Sequence, residues 1–205
     1  MQGVHREIYI FFDRGKNRMF VIRPYRRERA VAYAERWAKM RNPVFYDFTG
    51  IGGNCTNFVS QALYAGSCKM NFTPVFGWYY ITQNERTASW TGVDFFYRFL
   101  TGNRGLGPFG EEVAAERLED GDVVQIGRDG EGYFHSMLFV GRDPDGTPLV
   151  AAQSLDVYGK RLDEYDFDFA RYLHVTGVRA TTEGGDGCFD AVYNGISIQP
   201  SPDLT

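Results

Sequence analysis

A cysteine follows a glycine-rich turn in the segment GIGGNCTNFVSQALYAG, residues 50–66. Apolar residues recur with helical spacing after Cys55, so the thiol is expected in the first turn of a helix. The peptide dipoles at a helix N-terminus stabilise a thiolate, which is the form of cysteine that attacks carbonyl carbons. Three other roles are open to Cys55: a small buried residue, half of a disulfide, or a metal ligand. The preceding glycines favour a nucleophile, because they let a ligand approach the backbone closely.

A nucleophilic cysteine needs a proton acceptor, and histidine is the side chain most often used. The chain contains His5, His135 and His174. His5 lies near the N-terminus, and His174 sits in YLHVTG, which has the character of a late strand. His135 begins HSMLFVG, a run of strand character that follows GDVVQIG. We expect His135 to be the base; the alternative is a structural histidine in a strand.

The residue that orients the imidazole is sought in the hairpin after His135. In GRDPDGTPLVAAQS, a type I turn at Pro144 and Asp145 with a bulge at Gly146 places His135 and Gln153 on one face of the sheet. Gln153 is then the third member of a Cys-His-polar triad. A plain two-residue turn reverses this parity, and Ser154 or Asp156 takes the place of Gln153.

The cysteine count limits the other roles of the thiol. With three cysteines, Cys55, Cys68 and Cys188, at least one has no partner within the chain. The predicted helix separates Cys55 from Cys68 by roughly 20 Å, too far for a disulfide. No C-x-x-C occurs and the histidines are scattered, so we expect no metal site and no cofactor.

The elements that must position these residues are helices first and strands second. A helix is predicted over 26–41, and Asn54 is expected to cap the cysteine helix, which ends at Gly66. The segments VVQIG, FHSMLFVG, PLVAAQS and RYLHVTGVR are predicted strands. This order indicates an α+β domain over 26–183. The N-terminal arm, residues 1–25, has two short predicted strands and is either a hairpin or a leftover from a longer protein. The Gly/Pro-rich tail, residues 184–205, is expected to lie over the surface or to be partly disordered.

Composition excludes some classes of partner. The formal charge is -4, which does not suit a nucleic-acid binder, and no apolar run is long enough for membrane insertion. Aromatic residues make up 16% of the chain, and many fall in residues 72–90. Trp78, Tyr79 and Trp90 are candidates for the wall of a substrate groove; the alternative is core packing.

Six motifs occur in order: AVAYAERWAKMRNP, NCTNFVSQALYAG, GWYY, SWTGV, GDVVQIG and HSMLFV. Together they resemble the putative amidase domain of bacteria, a papain-like family related to NlpC-type and CHAP-type cell-wall hydrolases. The resemblance covers about residues 26–175. It implies a helical layer that carries the cysteine, packed on an antiparallel sheet that carries the histidine, with Cys55 as nucleophile, His135 as base and Gln153 as third residue.

Two residues depart from the family pattern. Asn54 stands where the family usually has Asp, and Gln153 stands where it often has His. Asn still caps a helix, and the oxygen of Gln still orients an imidazole ring.

The resemblance implies hydrolysis of an amide bond in peptidoglycan stem peptides or similar peptides. The Cys55 amide and a side chain such as Asn54 or Tyr46 are the expected oxyanion donors. A non-catalytic peptide-binding module and an acyltransferase with the same dyad are the alternatives. Wall hydrolysis requires export, and the sequence shows no leader. A cell-wall location therefore needs a leader that was removed; otherwise the protein is cytoplasmic.

Overall fold

The helix that follows the glycine-rich turn lies at the centre of the structure. A computed structural model of the chain describes residues 9–13, 18–181 and 187–198. The helix, α2, spans Cys55–Ser67, and all of its residues are buried. A helix enclosed on every side has no solvent-facing stripe, which agrees with its mostly small and apolar sequence.

The other elements form a helical layer and an antiparallel sheet. The remaining helices are α1 (Arg27–Trp37), α3 (Ala88–Thr91), α4 (Val93–Gly102) and α5 (Cys188–Tyr193). The strands are β1 (Tyr9–Asp13), β2 (Arg18–Arg23), β3 (Tyr80–Thr82), β4 (Glu85–Arg86), β5 (Gly107–Val113), β6 (Val123–Arg128), β7 (Gly132–Arg142), β8 (Pro148–Ala152), β9 (Val157–Arg161) and β10 (Phe169–Ala180).

The main sheet has the order β1-β2-β10-β6-β7-β8-β9, and β5 also pairs with β10. All of these pairs are antiparallel. A separate hairpin is formed by β3 and β4. The predicted α+β class with an antiparallel sheet is therefore confirmed.

The two faces of the sheet carry different cores. The helix face, which includes Val123, Leu138, Ala151 and Leu173, packs with the helices in the larger hydrophobic cluster. The outer face carries a smaller cluster, formed by Val124, Ile126, Met137, Phe139, Val150 and Ala152 with Leu118 and Leu162. Because side chains alternate along a strand, neighbouring residues of β7 lie on opposite faces.

The end of α2 differs from the prediction. Gly66 does not end the helix, which continues to Ser67, and Cys68 takes the left-handed conformation at φ 48°. Gly66 is needed for packing, since a Cβ there would lie 2.4 Å from the Tyr25 ring. The predicted helix over 26–41 is shorter, because α1 ends at Trp37.

Part of the tail is folded against the core, contrary to its predicted place over the surface. Helix α5 buries Cys188, Ala191 and Val192, and Cys188 forms a disulfide with Cys68 across a sequence separation of 120. Residues 182–186 and 199–205 of the predicted tail lie outside the described residues, as do residues 1–8 and 14–17 of the predicted arm. The described part of the arm forms β1 and β2, and β2 joins the main sheet beside β10.

Candidate active site

Cys55 is the first residue of α2 and the free cysteine of the described chain. The first hydrogen bond within the helix runs from Phe58 N to the Asn54 carbonyl, so the Cys55 amide has no partner inside the helix. Gly52 and Gly53 take φ values of 90° and 99°, a conformation that side chains disfavour. A Cβ added at Gly52 would meet nothing within 4 Å. The turn therefore leaves open space at Gly52, three residues before the thiol.

Asn54 occupies the N-cap position of α2, but its side chain does not cap the helix as predicted. Its Oδ1 accepts hydrogen bonds from Phe48 N at 3.0 Å and from Asn57 Nδ2 at 2.8 Å. Its Nδ2 donates to Gln153 Oε1. Because this oxygen is already used, the amides of the first helical turn are left for another acceptor.

Gln153 is buried, and its side-chain amide forms hydrogen bonds with residues of the helical layer. Its Nε2 donates to the carbonyl oxygens of Trp37 at 2.7 Å and Met40 at 2.8 Å, while its Oε1 accepts from Asn54. It thereby links the end of α1 to the residue before the cysteine. It makes no hydrogen bond with His135, so the predicted orienting role has no contact to support it.

The turn after β8 supplies a second link. Ser154 Oγ accepts a hydrogen bond from Asn54 N at 3.1 Å, and Asp156 pairs with Arg41 at 2.9 Å. Both turn residues have left-handed backbones, at φ 89° for Ser154 and 51° for Asp156. Non-glycine residues rarely hold this conformation, so the turn is strained where it meets the cysteine loop. Neither side chain bonds to His135.

The register between β7 and β8 explains why His135 and Gln153 do not meet. The predicted turn is confirmed, since Asp143 N bonds to the Thr147 carbonyl and Gly146 has a φ of 90°. A bulge between Phe139 and Gly141 then shifts the pairing by one residue, so that Leu138 pairs with Ala151. The predicted register is wrong beyond this bulge, because a one-residue shift moves every later side chain to the other face.

His135 lies on the outer face by the same alternation. It pairs with Ile126, whereas its neighbour Ser136 reaches α2 through a 3.0 Å contact between its Oγ and Thr56 Oγ1. The His135 ring lies 6.0 Å from the Tyr165 ring, and its Nε2 is buried with no partner in the described chain. Burial lowers the pKa of His135 from 6.5 to about 4. The imidazole is therefore neutral at pH 7.

The structure does not join Cys55 to His135 by a hydrogen bond. Asn54, next to Cys55, bonds to Ser154 in the turn after β8, whereas the paired residues of β7 and β8 end at Leu138 and Ala151, three residues short of His135. The Cys55 sulfur lies 3.8 Å from Thr56 Oγ1.

His174 belongs to the opposite end of α2. Its Nδ1 lies 2.9 Å from Asp122 Oδ2 and 3.3 Å from Arg27 Nη2. The neighbouring Arg26 N bonds to the Gly66 carbonyl, about 16 Å from Cys55 along the helix axis at the usual rise. His174 thus lies beside the partly buried ion pair of Arg27 and Asp122. His5 lies outside the described residues.

Comparison with known sequences supports the resemblance. The sequence model of the family described as putative amidase domain matches residues 24–175. The chain belongs to this family. It is also similar to the Bacillus subtilis (strain 168) protein named "Uncharacterized protein YhbB", with 36% identity over 135 residues. That match covers 64% of this chain and 42% of the relative. No solved structure is significantly similar to the chain.

The family is described as a putative amidase domain, a name that refers to amide hydrolysis. The aromatic residues predicted to line its groove lie mostly in the core of this amidase domain. Trp78 and Trp90 are fully buried, and their Nε1 atoms donate to Ser60 Oγ at 3.0 Å and Asn57 Oδ1 at 2.9 Å. Both therefore fit the core-packing alternative and not a groove wall, whereas Tyr79 is half-buried.

Of the predicted oxyanion donors, Asn54 points its amide into the protein toward Gln153, and Tyr46 is partly exposed beside the site. The Tyr46 carbonyl accepts from Asn57 Nδ2 at 3.0 Å, which fixes this backbone against α2.

Sequence reasoning missed three buried polar residues of the amidase domain that lie behind Cys55. Thr56, Ser136 and Gln125 form a connected row of side-chain hydrogen bonds. A polar residue at a predicted buried position was the available signal. Among the described residues, no helix is long and apolar enough to span a membrane, and no group of three or more His, Cys, Asp or Glu side chains is arranged to hold a metal ion.

Proposed function

We propose that this amidase domain is a cysteine-dependent hydrolase in which Cys55 attacks the carbonyl carbon of an amide. The observation that carries the proposal is the setting of Cys55: a free thiol at the start of a buried helix, behind a glycine turn with open space. The backbone amides of the first turn of α2, which the Asn54 side chain does not cap, are suited to hold the oxyanion that forms during attack. The papain-like fold belongs to the same proposal and rests on the resemblance.

His135 is the proton acceptor in this proposal. Its Nε2 is buried without a partner in the described chain, and its neighbour Ser136 contacts Thr56, the residue after Cys55. Burial lowers the pKa of the ring, so a negative charge such as the thiolate must lie beside it for the ring to gain base strength. Transfer requires the ring to come within about 3 Å of the sulfur, a contact that often tightens only when substrate is bound. Because a strand side chain changes face only when the backbone changes, the start of β7 must rearrange as the substrate enters.

Gln153 enters the mechanism as support for the cysteine loop. Its bonds to Trp37, Met40 and Asn54 hold the backbone on which the thiol sits. The Cys55 amide is the first oxyanion donor, and Tyr46 is the second candidate. After attack, His135 protonates the leaving amine, and water then hydrolyses the thioester.

The proposed substrates are peptidoglycan stem peptides or similar short peptides. Support for this class comes from the resemblance to NlpC-type and CHAP-type wall hydrolases. The Cys68–Cys188 disulfide adds support for an exported protein, since such bonds persist mainly in oxidising compartments.

The test is hydrolysis of a muropeptide mixture, followed by mass spectrometry. Cys55→Ala should reduce turnover by at least about 1,000-fold, and His135→Gln by about 100-fold or more. His174→Gln is the matched control, because that histidine lies at the other end of α2; its turnover per folded molecule should stay within about twofold.

Turnover that survives in Cys55→Ala contradicts the cysteine mechanism. A loss confined to Cys55→Ala, with His135→Gln unaffected, removes His135 as the base and keeps the nucleophile. The second candidate function is a peptide-binding module without turnover, and the absence of a Cys55–His135 hydrogen bond favours it. Binding of muropeptides by the wild type, without any cleavage, supports that alternative.

A further inference from the structure

A row of buried hydrogen bonds runs from Arg171 to Cys55. Arg171 Nε donates to Gln125 Oε1 at 2.7 Å, and Gln125 Nε2 donates to Ser136 Oγ at 2.9 Å. Ser136 Oγ lies 3.0 Å from Thr56 Oγ1, which lies 3.8 Å from Cys55 Sγ. All four supporting residues are buried.

The direction of this row follows from which groups can donate. A guanidinium only donates, so Gln125 presents its oxygen to Arg171 and its NH₂ to Ser136. Ser136 Oγ accepts that bond, and its own proton is available for Thr56. The Thr56 proton is then available for the sulfur. Reversing either hydroxyl would leave a buried proton without an acceptor, which is costly.

The positive end of the row is held in place. The Arg171 Cζ lies 3.8 Å from the Tyr97 ring centroid and 3.7 Å from the Tyr133 ring centroid. Its Nη2 also pairs with Asp94 Oδ1 at 2.9 Å. Gln125 Nε2 makes a second bond to the Val93 carbonyl at 3.0 Å, which fixes the amide at the start of α4.

We propose that Arg171, Gln125, Ser136 and Thr56 act as positioning residues that deliver a hydroxyl donor to the Cys55 thiolate. A thiolate accepts a hydrogen bond more strongly than a thiol, so a chain with every donor directed at the sulfur favours the anion. Each bond in such a row polarises the next, which carries part of the Arg171 charge toward Cys55. The inference rests on Cys55 being the nucleophile of the proposed function.

Other titratable groups surround the same end of α2 and are kept constant in the test. They are His135 on β7, Asp94 on α4, Asp47 in the preceding loop, and Asp156 in the turn after β8, with Arg41 bonded to both Asp47 and Asp156.

The experiment measures the rate of Cys55 alkylation by iodoacetamide between pH 5 and pH 10, with the labelled residue identified by mass spectrometry. No reductant is added, so the Cys68–Cys188 disulfide does not react. Thr56→Val keeps the side-chain shape and removes the donor. We expect it to raise the pH at half-maximal rate by about one unit and to slow alkylation at pH 6 by about tenfold.

Two variants separate the hydroxyl from simple packing. Thr56→Ser keeps the donor and should keep the wild-type profile. Ser60→Ala removes another buried hydroxyl of α2, which bonds to Trp90 O and Trp78 Nε1, and should also leave the profile unchanged. If Thr56→Val does not fold, Ser136→Ala is tested in its place. Ser136→Ala should shift the profile in the same direction.

The proposal is overturned if folded Thr56→Val, or Ser136→Ala in its place, keeps the wild-type profile. It is also overturned if Thr56→Ser or Ser60→Ala shifts the profile as much as Thr56→Val does. Arg171→Met should shift the profile by less than Thr56→Val, since the Arg171 charge acts through four successive hydrogen bonds. The readout does not depend on turnover. Failure of the hydrolysis test therefore removes the proposed function without deciding this inference, and the converse also holds.

Discussion

The two faces of the sheet differ in how completely their buried polar groups are hydrogen-bonded. On the helix face, the side-chain amides of Asn54 and Gln153 are bonded to neighbours on three separate segments. On the outer face, His135 Nε2 and Tyr165 Oη are buried without a partner in the described chain, and their rings lie 6.0 Å apart. Buried polar atoms are normally paired, so the helix face is preorganised and the outer face is incomplete.

This contrast suggests a division of roles. The proposed nucleophile, Cys55, lies beside paired polar groups, whereas the proposed base, His135, lies where a movement or a ligand would supply a missing hydrogen bond. A group without a partner loses little when it leaves its place. The incomplete face is therefore where the active-site rearrangement is expected.

The largest expected effect comes from breaking the frame on the helix face. Gln153→Leu leaves the Trp37 and Met40 carbonyls and the Asn54 amide without their partner. We expect the free energy of unfolding to fall by about 4 kcal/mol, because each buried orphan costs roughly 1–3 kcal/mol. Urea denaturation measures this change.

Gln83→Leu is the control for that variant, because the Gln83 side chain makes no hydrogen bond in the part of the chain that the structure describes. It should change stability by less than about 0.5 kcal/mol. Equal losses of unfolding free energy in the two variants would mean that the hydrogen bonds of Gln153 do not specifically stabilise the helix face.

A second prediction concerns pH and the outer face. Because the pKa of His135 is lowered from 6.5 to about 4, the unfolded chain binds a proton below pH 6.5 that the folded chain excludes. The His135 contribution to stability is therefore complete above pH 6.5 and is lost as the pH falls toward 4. It amounts to about 3 kcal/mol across that window.

His135→Gln should remove this part of the pH dependence. We expect the loss of unfolding free energy between pH 7 and pH 4 to be about 3 kcal/mol smaller in the variant than in the wild type. Between pH 7 and pH 8 the two proteins should run parallel. Identical acid profiles would show that the imidazole is not kept neutral by burial.

The smallest effect compares two tyrosines. Tyr33, in the helical layer, donates to Gln61 Oε1 at 2.7 Å and accepts from Asn42 Nδ2 at 2.9 Å, whereas Tyr165 Oη has no partner. Tyr33→Phe should cost about 2 kcal/mol, and Tyr165→Phe should cost nothing or stabilise by up to about 1 kcal/mol. Thermal unfolding of the two variants measures this difference in stability. A larger loss of stability in Tyr165→Phe than in Tyr33→Phe would contradict the prediction.

Local features of the fold were accessible from the sequence. Glycine turns, helical spacing and strand-like segments predicted the cysteine helix, the antiparallel sheet and the turn at Pro144 and Asp145. These signals depend on residues close together in the chain, where backbone preferences act directly.

Features that depend on distant contacts were not accessible. The bulge near Val140 places His135 on the opposite face from Gln153, and no feature of the local sequence predicts this bulge. Burial of Trp78 and Trp90 and the pairing of Cys68 with Cys188 likewise depend on the tertiary packing. One signal was available: Asn54 and Gln153, the two departures from the family pattern, are in direct contact. Paired departures of this kind indicate neighbouring positions.

The bond between Cys68 and Cys188 closes a covalent ring that contains every strand from β3 to β10. A single proteolytic cut anywhere inside that ring yields two pieces that stay attached to each other. Helix α5 would then remain tethered at the end of α2, and with it the bonds that the Tyr193 and Val192 carbonyls accept from Trp37 and Asn42. A nicked molecule therefore keeps its parts together until the disulfide is reduced.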